Sequence, residues 1–90
     1  MVRYYLRFTG RVQGVGFRFF AAMNAEKCRL TGWVKNMDDG SVTAEVQGTR
    51  TQIQKFLQLM QTGNRFVKID HIEKEERAYE EKEKRFQVRY

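Results

Sequence analysis

Apolar and polar residues alternate along several short stretches of the chain, which is the period of a strand with one buried face. In Val2–Phe8 the even positions are apolar, and Tyr5 is the one apolar residue at an odd position. Leu30–Asn36 and Ser41–Gly48 are two further strand-like stretches, and the turn between them contains Asp39-Gly40, which tolerates positive φ angles. This pattern predicts a first strand and, later in the chain, a hairpin.

Two other stretches place their apolar residues at helical spacing. The first follows a glycine-rich segment, and Gly63-Asn64 ends the second. The apolar positions are Phe17, Phe20, Ala21, Ala25 and Cys28 in the first helix and Ile53, Phe56, Leu57 and Met60 in the second. Each helix is therefore predicted to pack one face against a core.

The remaining strands are predicted at Phe66 to about Ile72 and at Arg85–Tyr90. The elements then follow the order strand, helix, strand, strand, helix, strand (βαββαβ), with the C-terminal strand appended. Two amphipathic helices need one apolar sheet face to cover, and short right-handed connections allow this arrangement. The predicted fold is an α+β ferredoxin-like open sandwich, with an antiparallel sheet and two helices packed on one face.

A charged segment separates the last two predicted strands. Ten of the twelve residues in Glu73–Lys84 are charged, and the spacing of Glu80 and Lys84 is compatible with a helix. The segment has almost no apolar residues that could form a buried face. This favours a solvated strand end and a loop over a third helix.

Composition and cysteine content narrow the class of protein. The 90 residues include 7 Phe, 4 Tyr and 1 Trp, which is enough apolar material for one core, so we expect a single domain over residues 1–90. The one cysteine, Cys28, cannot form an intramolecular disulfide or the cysteine pairs of a zinc finger. No stretch predicts a signal peptide or a membrane span, so we expect a cytoplasmic protein.

The excess of positive charge lies in the first part of the chain. The formal net charge is +6. Residues 1–66 contain 10 Lys or Arg and 4 Asp or Glu, whereas residues 67–90 contain 7 of each. This distribution predicts an anionic partner for the first part, which on charge alone is nucleic acid, a membrane surface or a phosphorylated small molecule.

The first candidate for an anion site is Gly10–Arg18, where three glycines lead into the first predicted helix. A glycine-rich turn at a helix start points main-chain N–H groups together, and the helix dipole adds positive potential there. Arg18 adds a guanidinium that can bind two phosphate oxygens at once. By composition alone, a loop shaped only for a tight turn is an equal alternative, and the spacing of a P-loop is absent.

Asn36 is the second candidate. It ends a strand that runs parallel to the first strand in the predicted fold, so it lies at the same sheet edge as the glycine loop. An amide at that place can hold a water molecule. By spacing alone, however, an asparagine before a turn more often forms an Asx-turn.

These two segments together resemble the two signatures of the acylphosphatase family. They read Gly10-Arg-Val-Gln-Gly-Val-Gly-Phe-Arg18 and Gly32-Trp-Val-Lys-Asn-Met-Asp-Asp-Gly-Ser-Val42, with a later Gly48. The element order, the length and the ending Phe86-x-Val88-x-Tyr90 agree over nearly all the rest of the chain. The resemblance implies hydrolysis of acyl phosphates to a carboxylate and inorganic phosphate, without a metal, a cofactor or a covalent intermediate.

The resemblance also implies roles for individual residues. Arg18 and Asn36 are the implied catalytic residues: the arginine binds the phosphoryl group and the asparagine orients the attacking water. The implied phosphate-binding residues are Gln13, Gly14, Val15, Gly16, Phe17 and Arg18. The expected partners are a small acyl phosphate and, in the loop, inorganic phosphate or sulfate; neither nucleic acid nor a membrane is expected, and we expect a monomer.

One position departs from the family, since Arg29 stands near the end of the first helix where family members often have glycine. A residue other than glycine in a left-handed cap costs about 1 kcal/mol. His71 stands alone as the only histidine, so no metal cluster is predicted. Cys28 has no nearby histidine to activate it, which favours a small apolar residue over a nucleophile.

Two other classes of function compete with this interpretation. RNA-recognition domains share the element order, but they stack bases on aromatic residues of the strand that follows the hairpin turn, and Ser41–Gln47 contains no aromatic residue. A small-molecule regulatory domain of the same fold would not need both Arg18 and Asn36 beside an anion-binding loop. The sequence therefore favours an enzyme that hydrolyses acyl phosphates over these two classes.

Overall fold

The computed structural model describes residues 1–90, which form two helices and one five-stranded sheet. The elements are β1 (Val2–Arg11), α1 (Phe17–Lys27), β2 (Thr31–Asn36), β3 (Val42–Gly48), α2 (Arg50–Thr62), β4 (Lys68–Arg77) and β5 (Phe86–Arg89). The predicted order of two helices and five strands is confirmed.

The sheet has the strand order β4-β1-β3-β2-β5. β1 pairs antiparallel with β3 and β4, and β2 pairs antiparallel with β3. β5 instead pairs in parallel with β2, with Val88 opposite Val34. The prediction of an antiparallel sheet is therefore right for the first four strands and wrong for β5, so the sheet is mixed. The loop after β4 reverses the chain, and β2 also runs opposite to β4, which makes β5 parallel to β2.

Both helices pack on one face of the sheet, as predicted. The strands alternate, so that Leu6 and Phe8 of β1 enter the core while their odd-numbered neighbours face away. The 16 buried apolar residues are Leu6, Phe8, Val12, Phe17, Ala21, Ala25, Cys28, Leu30, Val34, Val42, Ala44, Val46, Ile53, Phe56, Met60 and Val67. Neither helix has the length and apolar character that crossing a membrane requires.

Helix α1 ends in a left-handed turn at Arg29, which has a φ of 57° and is the one residue other than glycine with a positive φ. The N–H of Arg29 donates to the Glu26 carbonyl at 3.0 Å, and the N–H of Leu30 donates to the Ala25 carbonyl at 2.9 Å. These bonds satisfy carbonyls of the last helical turn. Arg29 thus occupies the strained cap position at which glycine is favoured.

The segment between β4 and β5 crosses the sheet face opposite the helices, because these two strands form opposite edges. Arg3 of β1 binds Glu83 of this segment with both terminal nitrogens, at 2.7 and 3.1 Å, and donates to Glu45 of β3 at 2.6 Å. The Glu80 N–H donates to the Gln47 side chain at 2.7 Å. These contacts bury the Arg3 side chain and fix the point at which β5 begins.

Strand β4 differs from its predicted bounds, since it begins at Lys68 and continues to Arg77 rather than ending near Ile72. Its charged residues pair through the main chain with the edge of β1 that faces away from β3. A Glu73 carboxylate oxygen lies 3.8 Å from a guanidinium nitrogen of Arg7. Main-chain pairing with β1 therefore continues where apolar alternation has stopped. The rest of the charged segment is a loop without a third helix, as predicted.

Candidate active site

The loop between β1 and α1 provides a helix start with free main-chain donors. Gly14 and Gly16 have φ angles of 73° and 74°, a conformation that favours glycine. Gly16 is the N-cap of α1 and has no side chain to accept a hydrogen bond from the first turn. The first N–H groups of a helix have no partner within the helix, and the first turn of α1 carries no acidic residue. This loop can therefore bind an anion through its main chain.

Arg18 lies in the first turn of α1, and β5 holds its side chain. Its Nη1 donates to the Arg89 carbonyl at 3.1 Å, and its guanidinium carbon lies 4.4 Å from the centre of the Tyr90 ring. The side chain is half-buried. Arg18 therefore presents its charge beside the loop from a position fixed by the C-terminal end of the chain.

Asn36 is the last residue of β2, and its Oδ1 is buried without a hydrogen-bond partner in the protein. The Asx-turn that spacing alone suggested for Asn36 is formed by Asp39 instead. The Oδ1 of Asp39 accepts from the Ser41 N–H at 2.9 Å and from the Ser41 hydroxyl at 2.6 Å. These bonds, with a further one from Arg7, hold the pKa of Asp39 well below its usual range. The turn is thus fixed without using Asn36, whose side-chain oxygen remains free to accept a hydrogen bond.

The side chain of Gln13 joins the glycine loop to the turn between β2 and β3. Its Nε2 donates to the Met37 carbonyl at 2.7 Å and to the Ser41 carbonyl at 2.8 Å. Both protons of the amide are therefore used within the protein. This contact fixes the loop relative to the end of β2, where Asn36 lies.

The structure brings Arg18 and Asn36 to one cleft of about 330 Å³. The cleft is lined by Val12, Gly14, Gly16, Phe17, Arg18, Phe19, Ala22, Asn36, Val88 and Tyr90. Four of the six predicted phosphate-binding residues are in this set, and Gln13 and Val15 are not. The Phe17 ring packs against the Phe8 ring with centres 5.0 Å apart, so its side chain belongs mainly to the core.

Sequence reasoning missed part of the cleft wall, namely Phe19 and Ala22 of α1 and the C-terminal residues Val88 and Tyr90. The alternation of Val88 and Tyr90 indicates a strand, but nothing in the sequence shows that this strand lies beside α1. The parallel pairing of β5 with β2 places it there. One wall of the cleft is thus apolar, while the loop end is positive.

Cys28 and His71 lie away from the cleft. His71 is exposed on β4. Burial raises the pKa of the Cys28 thiol, which therefore stays protonated near neutral pH. No three His, Cys, Asp or Glu side chains lie close enough together to hold a metal ion.

Comparisons with known proteins agree with one another over nearly the whole chain. A sequence model of the acylphosphatase family matches residues 4–88. An acylphosphatase of Geobacillus kaustophilus is 46% identical over 90 residues, which are all of this chain and 96% of the relative. One of Bacillus licheniformis is 40% identical over the full length of both chains. The crystal structure of the acylphosphatase of Bacillus subtilis superimposes with a TM-score of 0.93 at 41% identity and covers both chains completely. The chain therefore belongs to the acylphosphatase family.

Proposed function

We propose that this chain hydrolyses acyl phosphates in the cleft beside the glycine loop. The guanidinium of Arg18 and the main chain of residues 13–18 bind the phosphoryl group, and Asn36 orients the attacking water. One observation carries the proposal. Arg18 and Asn36 line the same cleft as the start of α1, and the buried Oδ1 of Asn36 has no hydrogen-bond partner in the protein.

The phosphoryl group is bound by charge and by main-chain donors. The N–H groups at the start of α1 face its oxygens, and Arg18 supplies a planar guanidinium that can bind two oxygens at once. Because the Gln13 amide is already bonded to the Met37 and Ser41 carbonyls, Gln13 contributes to phosphate binding through its main chain. These donors are fixed before the substrate binds, so they stabilise the charge that develops during transfer.

Asn36 holds the nucleophile. Its Oδ1 accepts a hydrogen bond from a water molecule, which directs a lone pair of the water oxygen at phosphorus. A bond forms between that oxygen and phosphorus, and the bond from phosphorus to the acyl oxygen breaks with its electron pair. The acyl group leaves as a stable carboxylate, so no strong general acid is needed. The proton of the water passes to a phosphate oxygen or to solvent, and the products are a carboxylate and inorganic phosphate.

We further propose that the reaction needs no metal ion, because Arg18 and the loop donors supply the positive field that a metal would supply elsewhere. The free, buried thiol of Cys28 fits a reducing compartment, which supports a cytoplasmic location. We also propose that the chain works as a monomer, since the cleft is completed by its own C-terminal residues.

Steady-state kinetics with benzoyl phosphate, with and without a chelator, test the proposal. We expect turnover that the chelator does not change. Asn36→Ala should lower kcat about 100- to 1000-fold while inhibition by inorganic phosphate stays nearly unchanged, because Asn36 need not touch the bound phosphate. Gln61→Ala, at an exposed position of α2, is the control and should keep full activity. A folded sample that turns over no acyl phosphate would contradict the proposal.

A further inference from the structure

A second cleft lies between α1 and the start of β5. It has a volume of about 500 Å³, and Ala22 of α1 lines both this cleft and the one that contains Arg18 and Asn36. Both clefts are lined by residues of α1 and of the C-terminal segment that contains β5, so together they follow one groove between these two elements. We call it the α1–β5 groove.

The far end of the α1–β5 groove is positively charged. Arg29, Lys84 and Arg85 line it, with Glu26 as the one acidic residue, which leaves an excess of two positive charges. None of the three cations forms an ion pair, since the ion pairs of the molecule involve Arg3, Arg7 and Arg77.

The groove between its two charged ends has an apolar wall. Val88 and Phe19 line the part next to Arg18. Phe86 lines the part next to the three cations at the far end. Phe19 is 70% exposed, which is unusual for a phenylalanine and leaves its ring available to a ligand. The groove thus has two positively charged ends joined by an apolar path.

We propose that the α1–β5 groove binds the acyl part of the substrate, and that Arg29, Lys84 and Arg85 bind a second anionic group at the far end of that acyl part. This rests on the proposed function, which places the phosphoryl group in the glycine loop. The substrate class is then long acyl phosphates with a distal carboxylate or phosphate, rather than simple acyl phosphates.

The strand geometry sets the length of such a substrate. From Tyr90 at one end of the groove to Phe86 at the other, the chain advances four residues, or about 13 Å at the rise of a strand. An extended chain spans roughly 1.2 Å per covalent bond, so about eleven bonds separate the two anionic groups. The monoacyl phosphate of decanedioic acid has this length between phosphorus and its free carboxylate carbon.

The experiment compares that compound with decanoyl phosphate, which has the same acyl chain length and no distal carboxylate. We expect kcat/KM to be about fivefold higher for the dicarboxylic compound at low ionic strength. The difference should lie in KM, because the distal contact is the same in the ground and transition states. It should shrink with added salt, since these charges are exposed.

Variants at the far end of the groove test the assignment of residues. The double substitution Lys84→Gln with Arg85→Gln should abolish the preference and leave benzoyl phosphate turnover unchanged. The matched control, Lys55→Gln with Lys68→Gln, removes two exposed charges elsewhere and should keep the preference. Glu26→Gln removes the one carboxylate and should increase it, so a gain as well as a loss is predicted.

The outcomes distinguish failure of the acyl-binding groove from failure of the proposed hydrolase activity. Equal kcat/KM for the two long substrates, together with turnover of benzoyl phosphate, overturns this inference and leaves the proposed function standing. A preference that the control variant loses equally also overturns it, because the effect is then one of net charge. Failure to turn over any acyl phosphate overturns the proposed function itself.

Discussion

At the scale of single residues, Arg18 combines charge with a fixed position. It donates to the Arg89 carbonyl at 3.1 Å and stacks 4.4 Å from the centre of the Tyr90 ring. A charge already held in place stabilises a transferring phosphoryl group without reorganisation. We expect Arg18→Ala to lower kcat/KM for benzoyl phosphate about 100- to 1000-fold. Arg18→Lys should recover little, because an ammonium group lacks the planar fork that binds two oxygens.

Two measurements separate a catalytic loss from a loss of folding. Thermal unfolding of Arg18→Ala should stay close to that of the parent, since the side chain reaches toward the cleft and not into the core. Arg11→Ala, which removes an exposed charge at the end of β1, should keep normal kcat/KM. Near-normal activity of Arg18→Ala would show that another group binds the phosphoryl oxygens.

Arg29 is a residue at which stability can be gained. Its φ of 57° suits glycine and strains a side chain. Arg29→Gly should raise the free energy of unfolding by about 1 kcal/mol, which corresponds to roughly 4–8 °C in the unfolding temperature of a domain of this size. Arg29→Ala removes the same charge but keeps the Cβ, so it should give no such gain. Equal unfolding temperatures for the two variants would mean that φ strain is not the cause.

At the scale of elements, Gln13 couples the glycine loop to the turn after β2 through the Met37 and Ser41 carbonyls. In Gln13→Glu a carboxylate would face two carbonyl oxygens and donate to neither. We expect this change to move the loop relative to Asn36 and to lower kcat, by about 100-fold if the displacement reaches 1 Å. The affinity for inorganic phosphate should fall less, because the loop keeps its own main-chain donors.

A charge-matched substitution controls for the added carboxylate. Gln61→Glu introduces the same negative charge on the exposed side of α2 and should leave kcat unchanged. Equal losses of kcat and of phosphate affinity in Gln13→Glu would argue against a positioning role, since they would indicate collapse of the whole loop.

The elements that sequence reasoning placed well are those with a regular apolar period. Val2–Phe8 and the two helices were predicted because their apolar residues recur on one side, and in the structure that side is the one that faces the core. The end of β4 was missed because residues such as Glu73 are charged, and a strand paired at a sheet edge needs only main-chain bonds to continue. The direction of β5 was missed for another reason, since it depends on where the charged loop crosses the sheet.

At the scale of the whole molecule, the cleft is assembled from parts of the chain that lie far apart in sequence. The glycine loop and Asn36 could be predicted together because both end strands at the same sheet edge. The contact between Arg18 and the carbonyl of Arg89 spans 71 positions, so no local sequence pattern predicts it. The same is true of Arg3, whose bonds to Glu83 fix the path that brings β5 beside α1.

The proposed phosphate site should also be detectable in the stability of the whole molecule, because a ligand that binds only the folded state raises the free energy of unfolding by mass action. Inorganic phosphate at ten times its Kd should add about 1.4 kcal/mol, or roughly 6–11 °C in the unfolding temperature of a domain of this size. Sodium chloride at matched ionic strength should give a much smaller shift, since it screens charge without filling the site. The phosphate shift should disappear in Arg18→Ala and persist in Arg11→Ala. If phosphate and chloride raise the unfolding temperature equally, phosphate does not bind at the start of α1. If Arg18→Ala keeps the full shift, Arg18 does not bind the phosphate.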